Sequence, residues 1–269
     1  MNKDKIISRS SFLESPVYYD EDKKIYFNDI GNKKDLSKYY EKEFHQRNII
    51  NNTFRNIINK VFEKITFGSP YNIFDLKHIK KNYALSKSSK IFEIGPGKCD
   101  NLKFMKGSGY NIKGIEMDKS IVSNVNSQYN EEILICGNYE RELIKEKYDV
   151  IILNHVLEHF INIELVIDKL KNNLSENGIV YIRVPNCLSK KELKYSIEKC
   201  PHTFHFTPTG IKKIFEDKSY SIINIGTYSR INSGLIYAFF LKLFQKEGLI
   251  KKHKNSATDI VMIVSKNDK

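Results

Sequence analysis

The sequence has no tryptophan, and only four cysteines, six prolines and 13 glycines among 269 residues. Cys99, Cys136, Cys187 and Cys200 stand far apart with no C-x-x-C pair. That excludes a disulfide framework and a cysteine-built zinc site, and it fits a reducing, cytoplasmic compartment. Long apolar runs are missing too. None reaches the roughly 18 residues that a spanning helix needs, and the longest, 235–244, is interrupted by Lys242. The N-terminus MNKDKIISRSSF lacks the apolar stretch of a secretory signal. The absence of G-x-x-x-x-G-K-[ST] excludes a phosphate-cradling P-loop.

What is present is a globular composition, with 41% hydrophobic and 28% charged residues, enough to bury a sizeable core. Basic residues number 44 against 32 acids, a net charge of +12. They are scattered among acids, as in KKDLSKYYEKE at 33–43, so the excess reads first as solvated surface. An anion-attracting face for nucleic acid, phosphorylated substrate or acidic lipid is the second reading. No cluster joins basic and aromatic side chains as RNA binding requires, so nucleic acid is disfavoured as a partner.

Residues 1–85 read as an N-terminal hairpin with a helical cap. Val17-Tyr18-Tyr19 and Ile25-Tyr26-Phe27 flank the polar turn 20–23, a hairpin pattern. Helical spacing runs from about 36 to 65 and is broken by Gly68-Ser69-Pro70, and a shorter helix covers 73–83. From residue 86 the pattern becomes strand–helix alternation. Strands are expected at 90–94, 111–116, 132–136, 149–153 and 179–184. Helices are expected at 100–106, 121–129 and 155–174. The remainder gives a helix at 208–216, a strand at 220–225, an apolar helical insert near 233–247 and a last strand at 259–265. Such alternation predicts an α/β fold, a mostly parallel sheet with helices on both faces.

The sharpest feature is Glu93-Ile94-Gly95-Pro96-Gly97-Lys98-Cys99, at the end of the first strand of this region. Glycines let the chain turn tightly and let a ligand touch the backbone. A dinucleotide fingerprint would want glycine at position 100, which is Asp100, and a carboxylate, Glu93, precedes the first glycine. Acids there repel a pyrophosphate. An ammonium and a sulfonium without phosphate, as in S-adenosylmethionine, suit the turn. Glu116 ends the second strand about 20 residues on, where an acid accepts hydrogen bonds from ribose hydroxyls.

The block 90–225 resembles the core of class I S-adenosylmethionine-dependent methyltransferases. The matching residues are EIGPG at 93–97, GIEMD at 114–118, GN at 137–138, YDVIILNHVLEHF at 148–160 and NGIVYIRVPN at 177–186, with His205-Phe206-Thr207 before the helix 210–217. The resemblance implies a Rossmann-like, seven-stranded, mostly parallel sheet with an antiparallel last strand, and S-adenosylmethionine as cofactor. It implies that Glu93, Gly95, Pro96 and Gly97 face the methionine end of the donor. Glu116 would hold the ribose, Met117 pack on adenine, and Asn138 sit near the adenine amine. Asn154 and His155 would line the methyl-transfer site. Two departures stand out: Cys99 replaces the third glycine of the turn, and Asn138 an acid near adenine.

His155, Glu158 and His159 follow the fourth strand, and on a helix they would share one face. His202 and His205 come later. One reading is acid–base chemistry, with His155 as the base and His205 as the second candidate. Another is a metal site of His155, Glu158, His159 and His205, which resembles the E-x-x-E-H plus distal histidine site of ubiquinone-pathway and small-RNA methyltransferases; no metal is the expectation. The third leaves Glu158 and His159 as local hydrogen-bonding groups behind the site.

The expected acceptor is a small polar molecule methylated on oxygen: a sugar, a sugar nucleotide or a surface-polysaccharide precursor. Alternatives are a lipid-quinone precursor or RNA 2′-O-methylation at a metal-assisted site, and a non-catalytic S-adenosylmethionine-binding partner protein. Residues 1–85 would act as acceptor lid and 86–269 as the methyltransferase core. The apolar insert fits burial, a homodimer interface or peripheral membrane contact, in a monomer or homodimer.

Overall fold

The run YDVIILN leaves Val150, Ile151, Ile152 and Leu153 with no exposed surface, as a strand covered on both faces requires. The computed structural model describes residues 1–3, 5–10, 13–30, 69–230 and 246–267. They fall into two compact units, 1–34 with 144–229 and 250–269, and 35–143 with 230–249. The expected N-terminal hairpin lies in the first unit.

The N-terminal part of the first unit is antiparallel. It holds β1 (Lys5–Ser10), β2 (Ser15–Asp20) and β3 (Ile25–Asn28). The expected hairpin is β2–β3, in register Tyr18↔Phe27 and Tyr19↔Tyr26, so two aromatic pairs meet across it. Next to β3 lies a two-residue strand found only in the folded chain, Phe204–His205. It is numbered β9 in chain order.

Second-unit elements come next. Helix α1 (Pro70–Asn82) is capped by Ser69 and begins on proline. Strands β4 (Lys90–Ile94), β5 (Asn111–Glu116) and β6 (Leu134–Cys136) are parallel neighbours in that order. Between them run α2 (Asp100–Gly107) and α3 (Lys119–Tyr129). Asp118 caps α3 by accepting from the Ser120 and Ile121 amides, whereas α2 has no side-chain cap.

The chain then returns to the first unit with β7 (Tyr148–Asn154). Here the expected 155–174 helix is corrected. A short 3₁₀ turn, Leu157–His159, is followed by α4 (Ile163–Asn173), with Asn162 as its cap. His155 has φ 54°, outside any helix. Three elements follow: β8 (Leu174–Pro185), α5 (Lys190–Lys199) and α6 (Pro208–Glu216), this last capped by Thr207. The unit closes with β10 (Tyr220–Arg230), a short edge strand β11 (Leu249–Lys251) and β12 (Asp259–Lys266). The strand order is β11-β10-β12-β8-β7. Strands β7 and β8 are parallel, and β12 runs antiparallel to both β8 and β10, as expected of the last strand.

The two hairpin strands and the seven strands expected after residue 86 are present, and β1, β9, β11 and α5 are additions among the described residues. The helices expected at 36–65 and 233–247 lie outside the described residues. No helix among the described residues is long and apolar enough to cross a membrane.

Candidate active site

The glycine turn at the end of β4 is built by its backbone. Gly95 and Gly97 have φ of 61° and 54°, which only glycine adopts without strain. Cys99, in the place of the third glycine, takes the same left-handed conformation at φ 61° and caps no amide with its side chain. Its thiol is buried and accordingly pushed up to about 12, helped by the Glu93 and Glu116 charges.

Glu116 ends β5 and is tied to three amides. The Gly97 N–H donates to its Oε2 at 2.9 Å, and the Met117 and Asp118 N–H groups donate to its Oε1 at 2.7 and 3.1 Å. The carboxylate is therefore aimed before any ligand arrives. Glu93 is buried in β4, and its Oε1 accepts from Asn101 Nδ2 at 3.0 Å. Pro96 and Met117 are half-buried. Asn138 begins a turn in which its Oδ1 accepts the Glu140 N–H at 2.8 Å.

A second set of candidates follows β7. Asn154 is the last residue of that strand. The His155 N–H donates to the Arg183 carbonyl at 2.8 Å, which holds the ring between two buried acids. Nδ1 is 3.5 Å from Glu158 Oε1, and Nε2 is 3.8 Å from Asp259 Oδ2. Burial and the Arg183 charge pull the His155 pKa down, but Asp259 and Glu158 outweigh them and raise it. His159 and His202 meet edge to face at 4.8 Å, and burial lowers both, His202 well below the usual range.

His205 departs from its expected role. It is fully buried on β9, with Nδ1 at 2.7 Å from Ser196 Oγ and Nε2 at 3.0 Å from Asn28 Nδ2. Both nitrogens are engaged inside the protein, and burial pushes its pKa down to about 3. It is a buried, neutral histidine held at both ring nitrogens by Ser196 and Asn28. The ligand set His155, Glu158, His159 and His205 is also not the one assembled. The grouped side chains are Glu158, His159 and His202.

A methyltransferase-domain family model matches residues 71–224, more than half the chain. The chain belongs to that family. It is a class I S-adenosylmethionine-dependent methyltransferase, with a Rossmann-like α/β fold. Among solved structures it is similar to an S-adenosylmethionine-dependent methyltransferase from Clostridium acetobutylicum, at 12% identity and TM-score 0.53, covering 79% of this chain and 97% of that one. One from Archaeoglobus fulgidus aligns at 15% identity and TM-score 0.52, covering 77% and 99%. Coclaurine N-methyltransferase, bound to N-methylheliamine and S-adenosylhomocysteine, aligns at 10% identity and TM-score 0.52, covering 72% of each chain. No curated protein sequence matches.

The methyltransferase's own residues fit that donor. The glycine turn has the left-handed backbone that close ligand approach requires, and an oriented carboxylate matches a ribose diol. The sequence pattern missed Asp259 altogether. It opens the last strand, 104 positions after His155 (259 − 155), and only the β12–β8 pairing, with Asp259 opposite Pro185, brings it to the ring. His202 was visible as one of two nearby histidines, but spacing could not say which of the two faces Glu158.

Proposed function

We propose that this methyltransferase transfers a methyl group to a hydroxyl oxygen of a small polar acceptor, a sugar, a sugar nucleotide or a surface-polysaccharide precursor. When bound, S-adenosylmethionine supplies the methyl group on a sulfonium. In this reading Glu93 and the backbone at Gly95, Pro96 and Gly97 face its methionine end. Glu116 holds the ribose, Met117 packs on adenine and Asn138 sits beside it. Asn154 lines the transfer site, and His155 takes the acceptor's proton.

The observation that carries the proposal is the placing of His155 between Glu158 and Asp259. A neutral hydroxyl is a weak nucleophile until a base removes its proton during attack. Two carboxylates beside the ring stabilise the imidazolium that forms. A new C–O bond forms as the sulfonium S–C bond breaks, and the hydroxyl proton passes to His155.

The test is transfer of label from radioactive donor to a fractionated cell extract. A labelled small polar product is expected, whereas labelled lipid or RNA would redirect the acceptor. With that product in hand, His155→Ala should lower kcat about 10²–10⁴-fold and leave S-adenosylhomocysteine affinity within about twofold. Unchanged turnover would remove the base from His155.

A further inference from the structure

Asn101 stands in the first turn of α2 and is 6% exposed, so each polar atom of its amide needs a partner in the protein or on a ligand. The 3.0 Å contact to Glu93 Oε1 fixes which way the amide points. A carboxylate only accepts, so the group facing it is the NH₂. Oδ1 is left on the other fork. It is buried and has no hydrogen-bond partner among the described residues. Flipping the amide would not fill it, because oxygen would then face carboxylate.

The residue is also held in place. Asn72, itself buried in α1, donates from Nδ2 to the Asp100 carbonyl at 3.1 Å, which ties α1 to the first turn of α2. Ser69 Oγ fixes Asn72 in turn by accepting its N–H at 3.2 Å. On its other side Asn101 reaches Glu93, one residue from the end of β4 and two before Gly95. The field there is negative. The Glu93 and Glu116 charges both act on the buried Cys99 thiol, two positions before Asn101, and push it up. A group that donates a hydrogen bond and carries positive charge therefore suits Oδ1.

S-adenosylmethionine carries positive charge on its sulfonium and on its ammonium. The sulfonium has no hydrogen to give, whereas the ammonium is all donor. We propose that Asn101 is a specificity-determining residue for the donor: Nδ2 holds the Glu93 carboxylate and Oδ1 accepts from the methionine ammonium, so the site selects ligands that carry that amine. The proposal rests on the reading that Glu93 faces the methionine end. It gives that end a second, neutral acceptor beside the acid. An aspartate at 101 would set two carboxylates together, and an alanine would offer neither atom.

The experiment measures binding to the full chain by calorimetry with three ligands. They are S-adenosylhomocysteine, its analogue lacking the α-amino group, and 5′-methylthioadenosine, which lacks the whole amino-acid part. The unaltered chain should bind S-adenosylhomocysteine about tenfold or more tightly than the deaminated analogue. Asn101→Ala should cut that preference about fivefold or more and leave 5′-methylthioadenosine affinity within about twofold. Equal losses for all three ligands, or a preference left intact, overturns the role of Asn101. If circular dichroism shows the alanine variant unfolded, Asn101→Ser, whose hydroxyl is too short to serve both groups, decides instead. Glu93→Gln separates this role from the reading beneath it. A preference lost in Glu93→Gln but kept in Asn101→Ala leaves the methionine end at Glu93 and removes Asn101 from it. No preference in the unaltered chain removes both.

Discussion

Glu116 shows how one side chain is set by its neighbours. Its two oxygens take three backbone amides, two on Oε1 and one on Oε2. A glutamine has one accepting oxygen, so it must turn its NH₂ toward an amide that needs an acceptor. Glu116→Gln should therefore weaken S-adenosylhomocysteine binding about tenfold or more, read by calorimetry. Equal affinity would show that the acid does not hold the donor. The glutamate and the glycines before it are contiguous with their strands, which is why this turn and its carboxylate were legible from EIGPG and GIEMD. His155 is the contrasting residue. It was legible as a candidate, but its backbone at φ 54°, its raised pKa and its second carboxylate were not.

Elements keep their places through close approaches that tolerate no extra atoms. The N-terminus of α6 sits against the turn between β2 and β3. Thr207 Oγ1 donates to the Lys24 carbonyl at 2.9 Å, and a Cβ built on Gly210 would lie 2.4 Å from that same oxygen and 2.6 Å from Ile25 Cγ1. Gly210→Ala should cost about 1–3 kcal/mol of stability, read from the urea midpoint, although alanine is the better helix former. Lys212→Ala, at an exposed position of the same helix, should stay within about 0.5 kcal/mol. A Gly210→Ala midpoint at or above the parent's would show that the docking is loose. The β2–β3 hairpin was readable from alternation and its polar turn. Its partner β9 was not, because two residues carry no periodicity and the pairing spans 177 positions from Phe27 to Phe204 (204 − 27).

Buried neutral histidines couple the whole molecule to pH. The His205 pKa is about 3 in the folded chain and about 6.5 unfolded. The unfolded chain takes up this proton first, so the stability it contributes is full above pH 6.5 and drains as pH falls toward 3. Between pH 7.5 and 5 the loss from His205 alone is about 2 kcal/mol. His202, shifted the same way, adds to it. The urea midpoint should fall over this range, and His205→Gln should flatten the dependence while lowering the midpoint at pH 7.5. An equal pH slope in that variant would show that another group carries the effect. The net charge of +12 acts in the same direction, because further protonation adds to self-repulsion.

The sequence by itself determined the α/β alternation, the buried strands, the glycine turn after β4 and the methyltransferase family. Each is a local pattern: apolar runs, caps and glycines act over a few residues, and the resemblance reads those runs in order. Only the tertiary structure decided the histidine–carboxylate cluster. It broke the expected 155–174 helix after β7, buried His205 behind Ser196, set His202 in its place beside Glu158, and brought Asp259 from the last strand to His155. Those choices rest on strand register and on hydrogen bonds between distant segments, which spacing along one chain does not encode.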